Sequence, residues 1–439
     1  MDYHPVLHLS NCPSSQDLDA YFSKAGAAEV RELTDLFSKI NTSTLALKAS
    51  HLREGVACTI APLQYDRGKT NSVMGGMNYH IEICFEDGVK WIARIRRTNA
   101  TSPPAVLRDY MLTSEVATLQ FLEGTGVPAP KVFDFALEGP DNSVGVGYIL
   151  MEKLPGQALD WGPATASQRR KVMDQLADIF IELRRYPFNE LGSLDVPGAS
   201  HVGGFAQESL TDFETPKHEM LLAVAPKHKM TLAGPFVSLE DYHRYSLQLI
   251  LDLIVREEMY SQRPVDAYLI TRFLLDLVPS VLPSPPSTDH RFYLKHGDDK
   301  GDHILVDDDF NITGIIDWEW AHTASPAHAF NSPIGLLPVG DFYDGINEIG
   351  DDEVVFARLL EEKGHGDLAA YVRAGRLQHR FAFCCGYNLA ADWSGFLGLF
   401  RGLRDAVKVD EGLDWDEWKA LARERYKEDM RLRTLLSKH

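Results

Sequence analysis

The chain has 439 residues, 44% of them hydrophobic and 24% charged, the profile of an ordinary globular protein with room for two or three domains. Its formal net charge of −19 excludes a general nucleic-acid binder and a protein drawn to anionic membranes, because both need a basic face. The same balance leaves room for a local basic pocket that takes phosphates.

The first residues, MDYHPVLHLSNCPSS, lack a basic region followed by an apolar run, so no signal peptide is expected. The cysteines (Cys12, Cys58, Cys84, Cys384, Cys385) are odd in number and form no C-x-x-C pair, which points to a reduced, cytoplasmic compartment. Apolar stretches such as LILDLIV at 249–255 are too short and too charged for a membrane span. The sequons at Asn41, Asn99 and Asn311 read as chance matches.

Residues 1–50 read as a helical extension. Ser14 and Ser15 before Asp17 can cap a helix, and Val30, Leu33, Leu36, Phe37 and Ile40 recur at helical spacing. Residues 51–155 read as strands with one helix. The turn Met74-Gly75-Gly76-Met77-Asn78 precedes a ribbon in which Tyr79, Ile81 and Ile83, then Trp91, Ala93 and Ile95, alternate with other residues across an Asp87-Gly88 turn. Gly75 and Gly76 at the head of such a ribbon can lay backbone N–H groups over phosphates. Arg94 lies mid-strand, where it can reach the same groups. A helix over 112–122 carries Glu115 on one face and ends at Gly124-Thr125-Gly126. The strand at Tyr148 runs through Met151, Glu152 and Lys153 and breaks at Pro155-Gly156, the kind of hinge that offers backbone groups to a nucleotide base.

Residues 156–439 read as mainly helical, with loops at 195–238 and at 279–290, where successive prolines oppose regular structure. One stretch interrupts the helices: YLKHGDDKGDHILVDDDFNITGIIDWEW, residues 293–320. It reads strand, polar loop, strand, turn, strand. Two carboxylates, Asp298 and Asp317, sit at strand ends that a hairpin holds close. One can orient an attacking hydroxyl while the other holds a metal on phosphates. The loop spacing H-x-D-x-x-x-x-(Asn) is that of the kinase catalytic loop, except that His303 stands in the place of Asn.

Four pieces in this order, EVATLQFLEGTGVPAPKV, YILMEKLPGQAL, HGDDKGDHILVD and ITGIIDWEWA, resemble the aminoglycoside phosphotransferase and choline kinase-like family, most of all its fungal members of unassigned substrate. The resemblance spans roughly residues 70–325. It implies an α+β, two-lobed protein-kinase-like fold: a small β-rich lobe over 51–155 and a large helical lobe over 156–439 that carries the catalytic hairpin. It also implies ATP-dependent (or GTP-dependent) phosphorylation of a hydroxyl on a small molecule, with Mg²⁺ or Mn²⁺. By the same resemblance Asp298 is the catalytic Asp and Lys300 the basic residue that touches the γ-phosphate. Asp317 is the metal-binding Asp, Glu115 the helix Glu, and Arg94 stands where the family has Lys or Arg. Oligomeric state is not legible.

The departure at His303 leaves alternatives open. Asp302 takes over as ligand, or Asp317 and the phosphates hold the metal alone, or the set with His303 favours Mn²⁺, which accepts imidazole more readily than Mg²⁺ does. Loss of turnover (a pseudokinase) and reuse of the scaffold for non-phosphoryl chemistry on a natural product are the rival functions. The substrate side is expected on the helical lobe, from Glu319, Trp320, Asp341, Asp392 and Trp393 together with Tyr343, Asp344 and Tyr387. Carboxylates beside aromatic rings suit an amine-bearing substrate. Against that, the tryptophans can simply be core and the acidic run DFYDGINEIGDDE a solvated loop.

Overall fold

The computed structural model describes residues 15–64, 77–99, 102–213, 230–282, 291–386, 389 and 392–438, with side chains from residue 26 onward. The Ser14 cap, Gly75, Gly76 and Tyr387 lie outside them. The chain divides into two compact units. One comprises Met1–Gly124, Pro128–Pro155 and Val196–Ala199, the other Thr125–Val127, Gly156–Asp195 and Ser200–His439.

The first unit is built on a five-stranded antiparallel sheet of order β1-β2-β3-β5-β4. Its strands are β1 (Cys58–Ile60), β2 (Asn78–Phe85), β3 (Lys90–Arg96), β4 (Val132–Ala136) and β5 (Tyr148–Glu152). The alternation in the sequence decides which face is buried. Tyr79, Ile81, Ile83, Trp91, Ala93 and Ile95 share one core with Leu33 and Leu36 of helix α1 (Ser15–Lys39), with Ile40 just past its end, and with Leu45 and Ala49 of α2 (Thr42–Leu52). Val30, counted with the apolar stripe, is 39% exposed, at the stripe's edge. The helical extension breaks into two helices because Asn41 caps the second, its side chain accepting the Thr44 N–H at 3.0 Å. Helix α3 (Ala105–Glu123) follows β3 and ends at Gly124.

The second unit is mostly helical. Its main core gathers Leu251, Ile254, Tyr268, Phe273, Phe381, Phe396, Phe400 and Trp418. The helix Pro264–Val281 is buried on nearly every side, as its unbroken apolar run requires. It continues through Pro279, where the sequence suggested a loop. A proline in the last turn forfeits only one hydrogen bond, to the Leu275 carbonyl, and the buried Val278 and Val281 hold the turn in place. The segment at 195–238 is also less irregular than expected. It contains Val202–Gly203, paired with Ser193–Leu194 just before the segment, and the pair Thr211–Asp212 with Thr231–Leu232; residues 214–229 lie outside the description. Among the described residues no helix is long and apolar enough to cross a membrane.

Candidate active site

In the helical unit the short buried strand Phe292–Lys295 lies between His322–Ala324 and Pro187–Phe188, antiparallel to both. It delivers the chain to a polar loop. Ile304–Val306 leads away from that loop and pairs with Ile312–Ile315. The turn between them is set by Asp307, whose carboxylate accepts the N–H groups of Asp309 (3.0 Å) and Asn311 (2.8 Å) and the Asn311 amide (2.8 Å). The Asp307 carboxylate is therefore turn chemistry, and Asp308 and Asp309 lie in the turn that it sets.

The ring of His296 joins the two sides of this hairpin. Its Nδ1 accepts the Asp298 N–H at 3.1 Å, so its Nε2 carries the proton and donates to the Ile316 carbonyl at 2.9 Å. One imidazole thus fixes the backbone of Asp298 against the residue before Asp317. Asp317 has φ of 65°, a left-handed conformation that few residues besides Gly, Asn and Asp adopt. Gly297 is required by the crossing chain: a Cβ there would stand 2.6 Å from the Trp320 carbonyl oxygen.

His303 is buried and stacks on His296, with ring centroids 4.1 Å apart. Its Nδ1 accepts the Gly301 N–H at 3.3 Å and its carbonyl accepts the Ile316 N–H at 2.9 Å. Burial, and then the neighbouring His296, push its pKa down to about 3. The ring is neutral and committed to packing. Lys300 sits 3.0 Å from Asp298 and 3.5 Å from Asp302. Burial would lower the Lys300 ammonium, but the Asp298 carboxylate outweighs it and holds the pKa above its ordinary value. The Asp302 side chain is 62% exposed and that of Asp298 23%.

One pair in this loop has no counterpart in the sequence reading. The Asp299 carboxylate meets the Lys295 ammonium at 2.7 Å, with both side chains almost buried. Burial pushes the Asp299 carboxyl up, and Lys295 more than reverses it, to a pKa of about 2. The only trace in the sequence was a lysine closing an apolar strand four residues before the second of two aspartates.

In the sheet unit Arg94 Nε stands 3.2 Å from Glu115 Oε2, and both side chains are buried, 7% and 6% exposed. β3 presents the guanidinium and α3 the carboxylate. At the end of β5, Met151 is buried opposite Ile92. The N–H groups of Glu152 and Lys153 are taken by the carbonyls of Lys131 (2.8 Å) and Lys90 (3.4 Å), so Leu154 is the first residue past the ladder. The Lys153 side chain is ion-paired with Glu82, which Lys153 and then Lys90 draw down to about 2.

Residues 86–332, more than half of the chain, match the family model described as the phosphotransferase enzyme family. The chain belongs to the phosphotransferase enzyme family. It is 30% identical over 267 residues to the clavilactone A biosynthesis cluster protein Y of Ampulloclitocybe clavipes, over 59% of this chain and 61% of that protein. It is 33% identical over 123 residues to a subtelomeric hrmA-associated cluster protein of Aspergillus fumigatus, over 27% of this chain and 23% of that one. The chain thus spans less than two thirds of either curated relative. A thermostable mutant of an aminoglycoside phosphotransferase, in ternary complex with AMP-PNP and hygromycin B, is similar at a TM-score of 0.45 and 13% identity, over 84% of this chain and 99% of that one. The α+β architecture expected from the motifs, an antiparallel sheet unit and a mainly helical unit, is the one this family member has.

The residues expected on the substrate side of this phosphotransferase family member have varied local surroundings. Trp318 is core, its indole N–H donating to the Ile315 carbonyl at 2.9 Å. Glu319 is buried, and Trp320 has φ of 66°. Asp392 caps the helix Trp393–Val407 by accepting the Gly395 N–H at 2.9 Å. Trp393 packs edge-to-face on Trp415 at 4.8 Å and under the Arg263 guanidinium at 4.5 Å. Asp341 is exposed on the short helix Val339–Tyr343. The acidic run after it is held by its backbone. Arg380, fully buried, donates to the carbonyls of Phe342 and Ile346 (2.7 Å) and to the Asn347 side chain (3.0 Å). Arg376 donates to the Glu348 carbonyl (3.0 Å) and to Glu353 (2.5 Å).

Proposed function

We propose that the chain is an O-phosphotransferase that moves the γ-phosphoryl group of ATP (or GTP) onto a hydroxyl of a small molecule. The observation that carries this reading is the His296 bridge, which sets the Asp298 backbone against the turn into Asp317. In this mechanism Asp298 accepts the hydrogen bond of the acceptor hydroxyl and takes its proton as the oxygen attacks. Lys300, already beside Asp298, neutralises charge on the transferred group. Arg94, oriented by Glu115, serves the other phosphates, and the chain from Met151 to Lys153 lies beside the base. Glu319, Trp320 and Asp341 are the candidates left for the acceptor side. Asp392 and Trp393 are spent on a helix cap and a tryptophan pair. The relative from a biosynthesis cluster supports a natural product as acceptor.

A divalent metal fits only in part. Among the described residues no group of three His, Cys, Asp or Glu side chains could hold an ion. The His303 ring is stacked and Asp302 points outward beside Lys300. The donor set that remains is Asp317 with phosphate oxygens, a composition that Mg²⁺ accepts. When bound, such an ion would screen phosphate charge.

The test is consumption of ATP or GTP with Mg²⁺ or Mn²⁺ against a panel of hydroxyl- and amine-bearing small molecules, with phosphorylated product read by mass. Absence of both product and nucleotide-induced thermal stabilisation across the panel sinks the reading. Stabilisation without product would favour a nucleotide-binding module without turnover, the reading to which the commitment of His303 to packing lends weight.

A further inference from the structure

We propose that Asp299 and Lys295 are positioning residues for Asp298, an ion pair beneath the loop that aims its neighbour outward. The inference rests on the reading of Asp298 as the group that meets the acceptor hydroxyl. Two adjacent aspartates take opposite environments. Asp299 is turned inward onto Lys295 at 2.7 Å, its side chain 10% exposed, while the Asp298 side chain is 23% exposed beside Lys300. Asp299 is held on Lys295 under the loop, which leaves its neighbour Asp298 on the more open side with Lys300. The anchor itself is rigid. Lys295 is the last residue of Phe292–Lys295, in register with His322 across the sheet. The Asp299 carbonyl receives the Gly335 N–H at 3.4 Å, and a Cβ on Gly335 would stand 2.9 Å from the Lys300 carbonyl oxygen, so the loop is pressed from that side too.

The surroundings make the pair mutually dependent. His296, His303, His322, His328 and His379 are all kept neutral by burial. Lys295 and Asp299 therefore sit among uncharged rings. A buried pair of this kind does not add much stability over an apolar pair of the same volume. Its directional hold on the loop is what an apolar pair cannot supply.

That difference gives the test. The Lys295→Met/Asp299→Leu double variant removes both charges together and should melt like the wild type. Its nucleotide affinity, read by calorimetry with ATP and Mg²⁺, should also be unchanged. Hydrolysis of ATP to ADP and phosphate, with water as acceptor, should fall in kcat by about 10–100-fold, the effect of misplacing a reacting group by a fraction of its contact distance. Amide exchange at Asp298 and Gly301, the two loop N–H groups that donate to imidazoles, should quicken at least tenfold by the same logic of a released loop. Lys295→Arg, which keeps the ion pair, should retain wild-type exchange. Wild-type exchange at both amides in a folded double variant overturns the proposal. Should the double variant not fold, the near-isosteric Asp299→Asn is read by the same criterion. If the wild type hydrolyses no ATP without an acceptor, exchange alone decides the clamp, and the phosphotransferase reading stands or falls on the acceptor panel.

Discussion

Two ion pairs, one in each unit, carry the charges proposed for the chemistry, and they are built in opposite ways. Arg94–Glu115 joins a strand to a helix 21 positions on and is buried on both sides, 7% and 6% exposed. Asp298–Lys300 closes within one loop and stays partly open, 23% and 38% exposed. A buried pair depends on its partner because neither charge can fall back on water. A half-open pair can, and it remains free to exchange its partner for a ligand. The first arrangement suits a charge that must stay put, the second a charge that must change hands.

The contrast breaks most sharply at Asp298. Asp298→Asn should melt like the wild type and lose turnover by about 10²–10⁴-fold. Phosphotransfer at the wild-type rate in that variant would remove the carboxylate from the reaction. Next comes Glu115→Ala, which leaves Arg94 buried without its carboxylate and should cost about 3–5 kcal/mol in urea unfolding. Arg94→Ala should do likewise, so folding suffers alongside nucleotide binding. Read from the sequence, Arg94 is a phosphate-facing charge; burial at both ends of the pair makes it a folding determinant as well. A loss below about 1 kcal/mol in both variants would place the pair among weak surface bridges.

Acid should separate the units. His243 and His322 have pKa values pushed down to about 4 and His379 to about 3, in each case chiefly by burial. The unfolded chain takes up these protons near pH 6.5 and the folded one does not, so stability is full above about 6.5 and falls as pH drops towards about 4. All three rings belong to the helical unit. Amide exchange followed from pH 7 to 5 should loosen that unit first, and equal loosening of the sheet unit would contradict the assignment. Burial likewise pushes the His303 pKa down to about 3, so the ring does not titrate between roughly 5.5 and 7.5. His303→Asn should therefore leave the pH profile of any activity unchanged over that range. The smallest effect belongs to Lys300→Met, about 0–1 kcal/mol in stability because the pair is open to solvent, with a loss of kcat at unchanged melting temperature.

What the sequence made legible followed periodicity and turn chemistry. The ribbon from Tyr79 to Arg96, the helix that carries Glu115, the hairpin from Ile304 to Ile315 and the Asp307 turn all have short-range signals, and all are present. The charge on β3 and the one on α3 could be matched because each sits at a readable place in a regular element. The loop interior was not legible. The stacking of His303 on His296 and the inward turn of Asp299 depend on how side chains fill the space under a non-repeating backbone, which no local pattern encodes. Asp392 misled for a related reason. A carboxylate beside a tryptophan looks like a binding pair, but it is also what a helix start looks like, and the residue is an N-cap. The acidic run after Asp341 was harder still, since the arginines that fix it lie some thirty residues away on another helix.

That grip has a consequence for divergence. Arg376 and Arg380 hold the run from Phe342 to Glu348 largely by carbonyl oxygens, which every residue type carries. The side chains of Asp341, Asp344 and Ile346 lie exposed and take no part in the clamp. Mutational drift at these three positions leaves the course of the backbone intact. A library randomised there would vary the surface while holding its frame, so a lineage built on this chain can alter what that face meets without first having to refold it.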